Sequence, residues 1–282
     1  MIPLSSVDVV VALGFAAAAL GGLAFGSLSY VLALTQSTVF AIELLHSLLA
    51  GALLGVLIES FTRVIPMQVA VFLYSLAASA LIAELSRRKV PQDITVPLLS
   101  SLSAVLSVAS AWYLVYTTPV GYSRAMAVIW GITLLVHPND LIYLALVALL
   151  TIILTSSFNL ELKYISFDPD LAYVSGLNTR AYYYLVYTLV ALSLSATVKV
   201  YGVVVASILI AVPSVISVYL LRSYSMGATI TSSVVVSSTG YLISYVLGTQ
   251  VSLCVGVISL VFLAIGTLIR WLNGRRSNPR NG

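Results

Sequence analysis

The sequence predicts an all-α fold: a polytopic integral membrane helix bundle of about nine transmembrane helices, with one short half-membrane helix and one short cytoplasmic helix. Three observations carry this expectation. Only 8% of the 282 residues are charged, 13 Lys and Arg against 9 Asp and Glu, where a soluble domain carries about 25%. The chain is 60% hydrophobic and its mean hydropathy is +1.09. Its apolar residues fall in uninterrupted runs near the roughly 20 residues that span a hydrocarbon core of about 30 Å as a helix, whereas a β-barrel strand alternates apolar and polar residues. So little charge excludes a water-soluble enzyme, and so much apolar surface excludes a disordered chain.

Spans are expected near 9–33, 36–60, 66–85, 94–116, 139–158, 181–199, 203–221, 226–247 and 250–271. Met1 to Val7 carry no Lys or Arg, so the first run reads as a retained span and not as a cleaved signal. The piece at 124–136 follows Pro119-Val120-Gly121 and stops at His137-Pro138. It is too short to cross and reads as a half-membrane or interfacial helix. Small-residue runs, Ala16 to Gly22 and Ser232-Ser233 to Ser237-Ser238, suit close helix packing. Pro213 falls inside 203–221 and should kink that helix. The carbonyl it frees needs a partner in lipid, with Ser207 and Ser214 as candidates. The tyrosines, including Tyr182-Tyr183-Tyr184 after Arg180, suit the headgroup interface. Residues 1–271 form a single transmembrane domain and 272–282 a cytoplasmic basic tail.

Basic residues orient the bundle. With nine spans and a cytoplasmic C-terminus, Arg87, Arg88, Lys89, Lys163, Arg180, Arg222, Arg270, Arg275, Arg276 and Arg280 lie inside, and Arg63, Arg124 and Lys199 outside, a split of 10 to 3. If 124–136 crossed, the split would fall to 9 to 4, so nine spans are preferred. The net charge of +4 reads as membrane anchoring and not as nucleic-acid binding. Cys254 is the sole cysteine, which excludes an intramolecular disulfide and a cysteine-based zinc cluster.

The longest polar interruption, 159–180, contains a short helix with its caps written in. Asp168 is an N-cap followed by Pro169 at the first helical position. Asp170 adds an acid to the first turn, Leu171, Ala172 and Val174 form an apolar stripe, and Gly176 is placed to end the helix. About two turns are marginal alone, so the segment is held either by the rest of the chain, as an interfacial connector, or by a cytoplasmic partner.

Glu43 and His46 stand in the second span, three residues apart and on one helix face. A charged group at mid-membrane costs on the order of 2.5–3.5 kcal/mol, and such residues normally face the bundle interior or a water-filled path. Three readings are open: a hydrogen-bonded pair that packs the bundle, a protonated Glu43 in a proton path, and a carboxylate and imidazole that pass manganese, iron or zinc. Elsewhere, His137 reads as a loop cap, an entry ligand or a contact for an external protein. Asn139-Asp140 reads as the cap of the following helix, Glu59 and Arg63 as a surface pair in preference to a gate, and Lys199 as a snorkelling lysine.

The segment Ser166-Phe167-Asp168-Pro169-Asp170-Leu171-Ala172-Tyr173-Val174-Ser175-Gly176-Leu177-Asn178-Thr179-Arg180 resembles a hallmark of the ABC transporter permeases for zinc, manganese and iron. Gly202-Val203, Ser207 and Ile208 to Pro213 follow in the same order as in that family. Upstream, His46-Ser47-Leu48-Leu49-Ala50-Gly51-Ala52-Leu53-Leu54-Gly55 and Trp130-Gly131 before His137-Pro138-Asn139-Asp140-Leu141 are similar to two further elements. The resemblance covers roughly 10–270. The family commonly carries an Asp four residues before the His. Ile42 stands there in this chain and Glu43 follows, on a compatible face with a longer reach.

The resemblance implies the permease subunit of an ATP-driven metal importer. It would work as a pair of copies with two cytoplasmic ABC ATPase subunits and an extracellular metal-binding protein, and with no permanently bound cofactor. It implies that the stretch Phe167, Asp168, Pro169, Asp170, Leu171, Ala172, Tyr173, Val174, Ser175 and Gly176 is the coupling helix that docks the ATPase. It also favours the metal-passage reading of Glu43 and His46, with transported zinc, manganese or iron as cargo. No Gly-x-x-x-x-Gly-Lys-Ser/Thr motif occurs in the chain, so ATP is expected to be hydrolysed by a partner and the chain is not itself an enzyme. Two other classes compete: a gradient-driven secondary carrier, for which inverted repeats would be expected and none is found, and an ABC permease for an iron chelate or corrinoid, which would have a wide polar cavity and no buried metal ligands.

Overall fold

The computed structural model of the chain describes residues 4–35, 38–62, 65–87, 91–131 and 136–277. These residues form helices and no strand: α1 (Leu4–Leu34), α2 (Thr38–Thr62), α3 (Met67–Arg87), α4 (Gln92–Thr117), α5 (Gly121–Trp130), α6 (Pro138–Ser157), α7 (Asn159–Phe167), α8 (Pro169–Val174), α9 (Thr179–Tyr219), α10 (Met226–Leu247) and α11 (Val251–Ser277). Among the described residues six helical stretches are long and apolar enough to cross a membrane: Val9–Leu34, Ile94–Thr117, Pro138–Ser157, Thr179–Tyr219, Met226–Leu247 and Val251–Leu272. Two more, His46–Thr62 and Met67–Ile82, are apolar but shorter. The chain is a multi-pass membrane helical bundle. Arg63, Arg88, Lys89, Arg280 and residues 132–135 of the expected 124–136 piece lie outside the described residues, as do the side chains of Arg87, Arg275 and Arg276.

Contacts sort the helix ends into two groups. At one end the Ser166 hydroxyl donates to the Leu34 carbonyl at the close of α1, and the Tyr30 hydroxyl donates to Asn159 Oδ1 at 3.1 Å. Ser217 of α9 meets Thr229 in the first turn of α10 at 3.1 Å, and the Arg270 guanidinium of α11 lies 4.9 Å from the Tyr219 ring centroid. At the far end Arg124 of α5 donates to Ser60 Oγ in the last turn of α2 at 2.9 Å. There Lys199 Nζ also donates to Asp140 Oδ1 in the first turn of α6 at 2.9 Å. Helix α9 therefore leaves the α7–α8 end, reaches the far end near Lys199 and returns. Its helical dihedrals break at Gly202, with φ 69° and ψ 177°, between the two runs expected at 181–199 and 203–221.

The expected bend at Pro213 is not where the helix breaks. Pro213 stays inside the helix, and the N–H that follows it, that of Ser214, donates to Ser29 Oγ of α1 at 3.1 Å. Ser207 and Ser214, the expected partners, donate to the Val204 and Ala211 carbonyls, three residues back in their own helix. The short piece also begins earlier than expected, at Gly121 and not at 124. A Cβ at Gly121 would overlap the Leu114 carbonyl, so glycine is what lets α5 start directly against the last turn of α4.

Helix α1 is the spine of the bundle and packs on α9 and α10. Its small-residue run works as expected. A Cβ at Gly21 would overlap the Tyr201 ring, and one at Gly26 would come within 2.6 Å of Ile230 Cα. The Tyr201 hydroxyl donates to the Ala17 carbonyl at 2.5 Å, and the Ser237 hydroxyl to the Ala18 carbonyl at 2.8 Å. With no water in the membrane core, hydroxyls that find backbone carbonyls avoid the cost of an unsatisfied polar group.

Candidate transport site and docking segment

Glu43 is the sixth residue of α2, about 7.5 Å from the helix start at 1.5 Å per residue, and His46 about 12 Å from it. The α7–α8 end receives the close of α1, so the pair sits in the half of the bundle nearer that end. Glu43 is 1% exposed, and its carboxylate turns toward α4. Ser100 Oγ donates to one oxygen at 2.7 Å and Ser103 Oγ to the other at 3.1 Å. The Tyr74 hydroxyl of α3 lies 3.1 Å from Ser103 Oγ, which ties three helices to one acid. The His46 imidazole is close enough to the carboxylate to interact with it electrostatically.

This geometry shows how a carboxylate is tolerated at this depth. Each oxygen accepts one hydroxyl, and each has a second lone pair left. Among the described residues no three His, Cys, Asp or Glu side chains converge on one point. Any ion held by Glu43 and His46 would take its remaining donors from water, hydroxyls or a second copy. The three α4 and α3 partners were not singled out from sequence. The signal was Ser100, Ser103, Ser107 and Ser110 at alternating spacings of three and four, the period of one helix face, and three of these four are fully buried.

At the far end, Glu59, Arg124 and Lys199 line a cavity of about 350 Å³ together with Val56, Met67 and Val128. Glu59 accepts from the Met67 N–H at 3.1 Å and so caps α3; the Arg63 half of the expected pair lies outside the described residues. Lys199 is paired with Asp140 and does not merely snorkel. The α6 cap is His137, whose ring nitrogen accepts weakly from the Asn139 N–H at 3.4 Å, with Pro138 at the first helical position. Asp140 sits in the first turn, where the helix dipole favours an acid, and is not itself the cap. Because Lys199 is 39% exposed, solvent weakens the pair. Lys199→Met is expected to cost no more than about 1 kcal/mol of stability, as read by thermal unfolding in detergent.

The polar interruption forms two helices, not one. Leu162 and Ile165 bury one face of α7, an amphipathic turn that the charged residues around it obscured in the sequence. Helix α8 follows the expected caps closely. Asp168 Oδ1 accepts from the Asp170 and Leu171 N–H groups at 3.0 and 2.9 Å. Gly176, at φ 89°, closes a Schellman turn in which the Gly176 N–H reaches the Tyr173 carbonyl and the Leu177 N–H the Ala172 carbonyl. Only Ala172 faces inward. Phe167 is 89% exposed, Tyr173 71% and Val174 83%, so an ordered helix presents an apolar face to the outside. Asp168→Ala should remove about 1 kcal/mol from the local helix, seen as faster amide exchange over 169–174.

Comparison with known proteins agrees with this architecture. The model of the ABC 3 transport family matches residues 8–270. A Thermotoga maritima protein named as a probable metal transport system membrane protein is 29% identical over 210 residues, covering 72% of this chain and 69% of its own length. Among solved structures, a chain of PsaBC from Streptococcus pneumoniae, in complex with Fab, is similar with a TM-score of 0.75 and 18% identity over 90% of this chain and 89% of that one. A metal-chelate type ABC transporter in an inward-facing conformation gives a TM-score of 0.73 and 15% identity over 91% and 85%. At these identities the two structures establish a shared fold.

Proposed function

The chain belongs to the ABC 3 transport family, and from that premise we propose that it is the permease subunit of an ATP-driven importer of zinc, manganese or iron. The observation that carries this reading is α8: a capped helix, ordered without burying its apolar face, at the end where α1, α9 and α11 finish. A membrane subunit without an ATPase motif needs such a face, and Phe167, Tyr173 and Val174 supply it to a cytoplasmic ATPase.

In this reading the α7–α8 end is cytoplasmic, as the basic residues Lys163, Arg180, Arg222 and Arg270 favour, and the chain crosses nine times, with α9 counted as two spans and α5 as none. The cavity lined by Glu59, Arg124 and Lys199 then faces outward, toward a metal-binding protein. Two copies of the permease and two ATPases form the transporter. ATP binding shifts α8, the spans reorient, and the ion passes Glu43 and His46. Two protein ligands bind loosely enough to release cargo, which a closed four-ligand site would retain.

The test is purification with the neighbouring ATPase followed by metal uptake into vesicles. Phe167→Asp with Val174→Asp should leave the fold intact, since both side chains are exposed, and lower ATPase binding about 30-fold or more, as for loss of an interface hot spot. Uptake that persists without ATP would defeat the reading in favour of a gradient-driven carrier. Transport of a chelate but not of the bare ion would move the assignment to a larger cargo.

A further inference from the structure

We infer that Tyr30 and Tyr201 are the positioning residues through which α1 links the docking segment to the break in α9, so that motion at α8 is delivered to the far half of the bundle. The inference rests on the ATPase-docking reading of α8.

Helix α8 packs mainly on α7 and less on α9, so α7 is a direct route by which its displacement enters the bundle. Helix α7 is fastened to α1 by two hydrogen bonds. The Tyr30 hydroxyl donates to Asn159 Oδ1 in its first turn, and the Ser166 hydroxyl donates to the Leu34 carbonyl, while Leu162 and Ile165 of α7 are buried. Tyr30 is also fully buried, with its ring 5.6 Å from that of Tyr224 in the turn between α9 and α10. One side chain thus joins α1, the docking segment and the α9–α10 turn.

About 20 Å further along α1, at 1.5 Å per residue, the second fastening appears. The Tyr201 hydroxyl donates to the Ala17 carbonyl, and its ring fills the space left by Gly21 and stands edge-on to Phe25 at 6.4 Å. Tyr201 immediately precedes Gly202, where α9 breaks and its backbone lies against that of Gly131 after α5. Between the two tyrosines α1 has no slack, because Gly22 and Gly26 bring its backbone onto that of α10. A helix held this closely moves as a rod, and packed interfaces of this kind switch between discrete arrangements and do not deform continuously.

The experiment uses the full transporter in vesicles and reads metal taken up per ATP hydrolysed. Tyr30→Phe and Tyr201→Phe each keep the ring and remove one hydrogen bond. Each is expected to leave ATP turnover within twofold of wild type and to lower metal per ATP about fivefold, the equivalent of one hydrogen bond. Sites this far apart that share no partner normally act additively. Two fastenings of one rod are not independent, so the double variant should be no worse than the poorer single one. An unchanged ratio in both variants, or additive losses, overturns the inference. If the tyrosine variants do not fold, Asn159→Ala removes the same Tyr30 hydrogen bond from α7 and must lower the ratio similarly; an unchanged ratio there also overturns it. A wild-type complex that shows no ATP-dependent uptake would instead mean that the docking reading has failed.

Discussion

Glu43→Gln combined with His46→Ala is expected to abolish metal uptake in a chain that still inserts and still retains its ATPase. The substitution at 43 is nearly isosteric. A glutamine can accept from one of Ser100 and Ser103 and donate to the other, so the junction of α2 and α4 keeps both contacts (2.7 and 3.1 Å in the native chain). What disappears is the anion, and with His46 the only imidazole on that face of α2. Loss of a partner that merely supports a ligand costs about 10–100-fold in metal affinity or activity, so if Glu43 and His46 are both ligands the loss of the two must exceed that. The measurement is ATP-dependent uptake of manganese, zinc and iron, each alone, by vesicles holding equal amounts of wild-type and variant complex. Normal uptake by the double variant would remove Glu43 and His46 from the path and leave the acid as a packing element between α2 and α4. Ser100→Ala and Ser103→Ala separate the two roles further. If Glu43 is a ligand, they should shift the preference among the three metals, and if it only packs, they should not.

Gly131→Ala and Gly202→Ala are expected to prevent the chain from reaching its folded state in the membrane. Both glycines adopt positive φ, 81° and 69°, with ψ of 169° and 177°. That is a region essentially reserved for glycine, costing about 1–3 kcal/mol for another residue. Strain is the smaller part. A Cβ on Gly131 would run into the backbone of Tyr201 and Gly202, and a Cβ on Gly202 into that of Trp130 and Gly131. No flexible side chain stands there to give way, so one of the helices must shift. Gly176 is the control: its φ is 89°, yet nothing lies within 4 Å of where its Cβ would be. Gly176→Ala should therefore carry only the strain and remain folded. The comparison is the monodisperse yield and thermal midpoint of the three variants in one detergent. If Gly131→Ala and Gly202→Ala match Gly176→Ala, the two breaks are not in contact as described.

Much of the bundle was legible because lipid imposes so narrow a rule. A spanning segment must be long, apolar and internally hydrogen-bonded, and among the described residues each expected run overlaps a helix, six stretches being long and apolar enough to cross. The caps of α8 were legible for a different reason: Asp168, Pro169 and Gly176 act within one turn of themselves, and local chemistry survives in the order of residues. The α6 cap shows the limit of that logic. Asn139 and Asp140 had the right residue types, but Pro138 fixed the first helical position one turn earlier and gave the cap to His137. The break at Gly202 falls in the gap between the runs expected at 181–199 and 203–221, whereas the bend expected at Pro213, a residue conspicuous in any helix, is not a break. Gly202 becomes a break only through what stands opposite it.

The amino-acid order alone determined the membrane, the runs that enter it, the capped helix outside it, and Glu43 with His46 as the charged exception. Tertiary structure decided where those parts act: that Glu43 answers to Ser100 and Ser103, more than fifty positions away, that Gly131 meets Gly202, and that α1 joins α7 to Tyr201. The physical reason is that composition and periodicity report one residue's preference for lipid or for a helix face. Serine and glycine express almost no such preference. In a chain this poor in charge they set the contacts between helices, and their meaning depends on the residue that arrives from another helix.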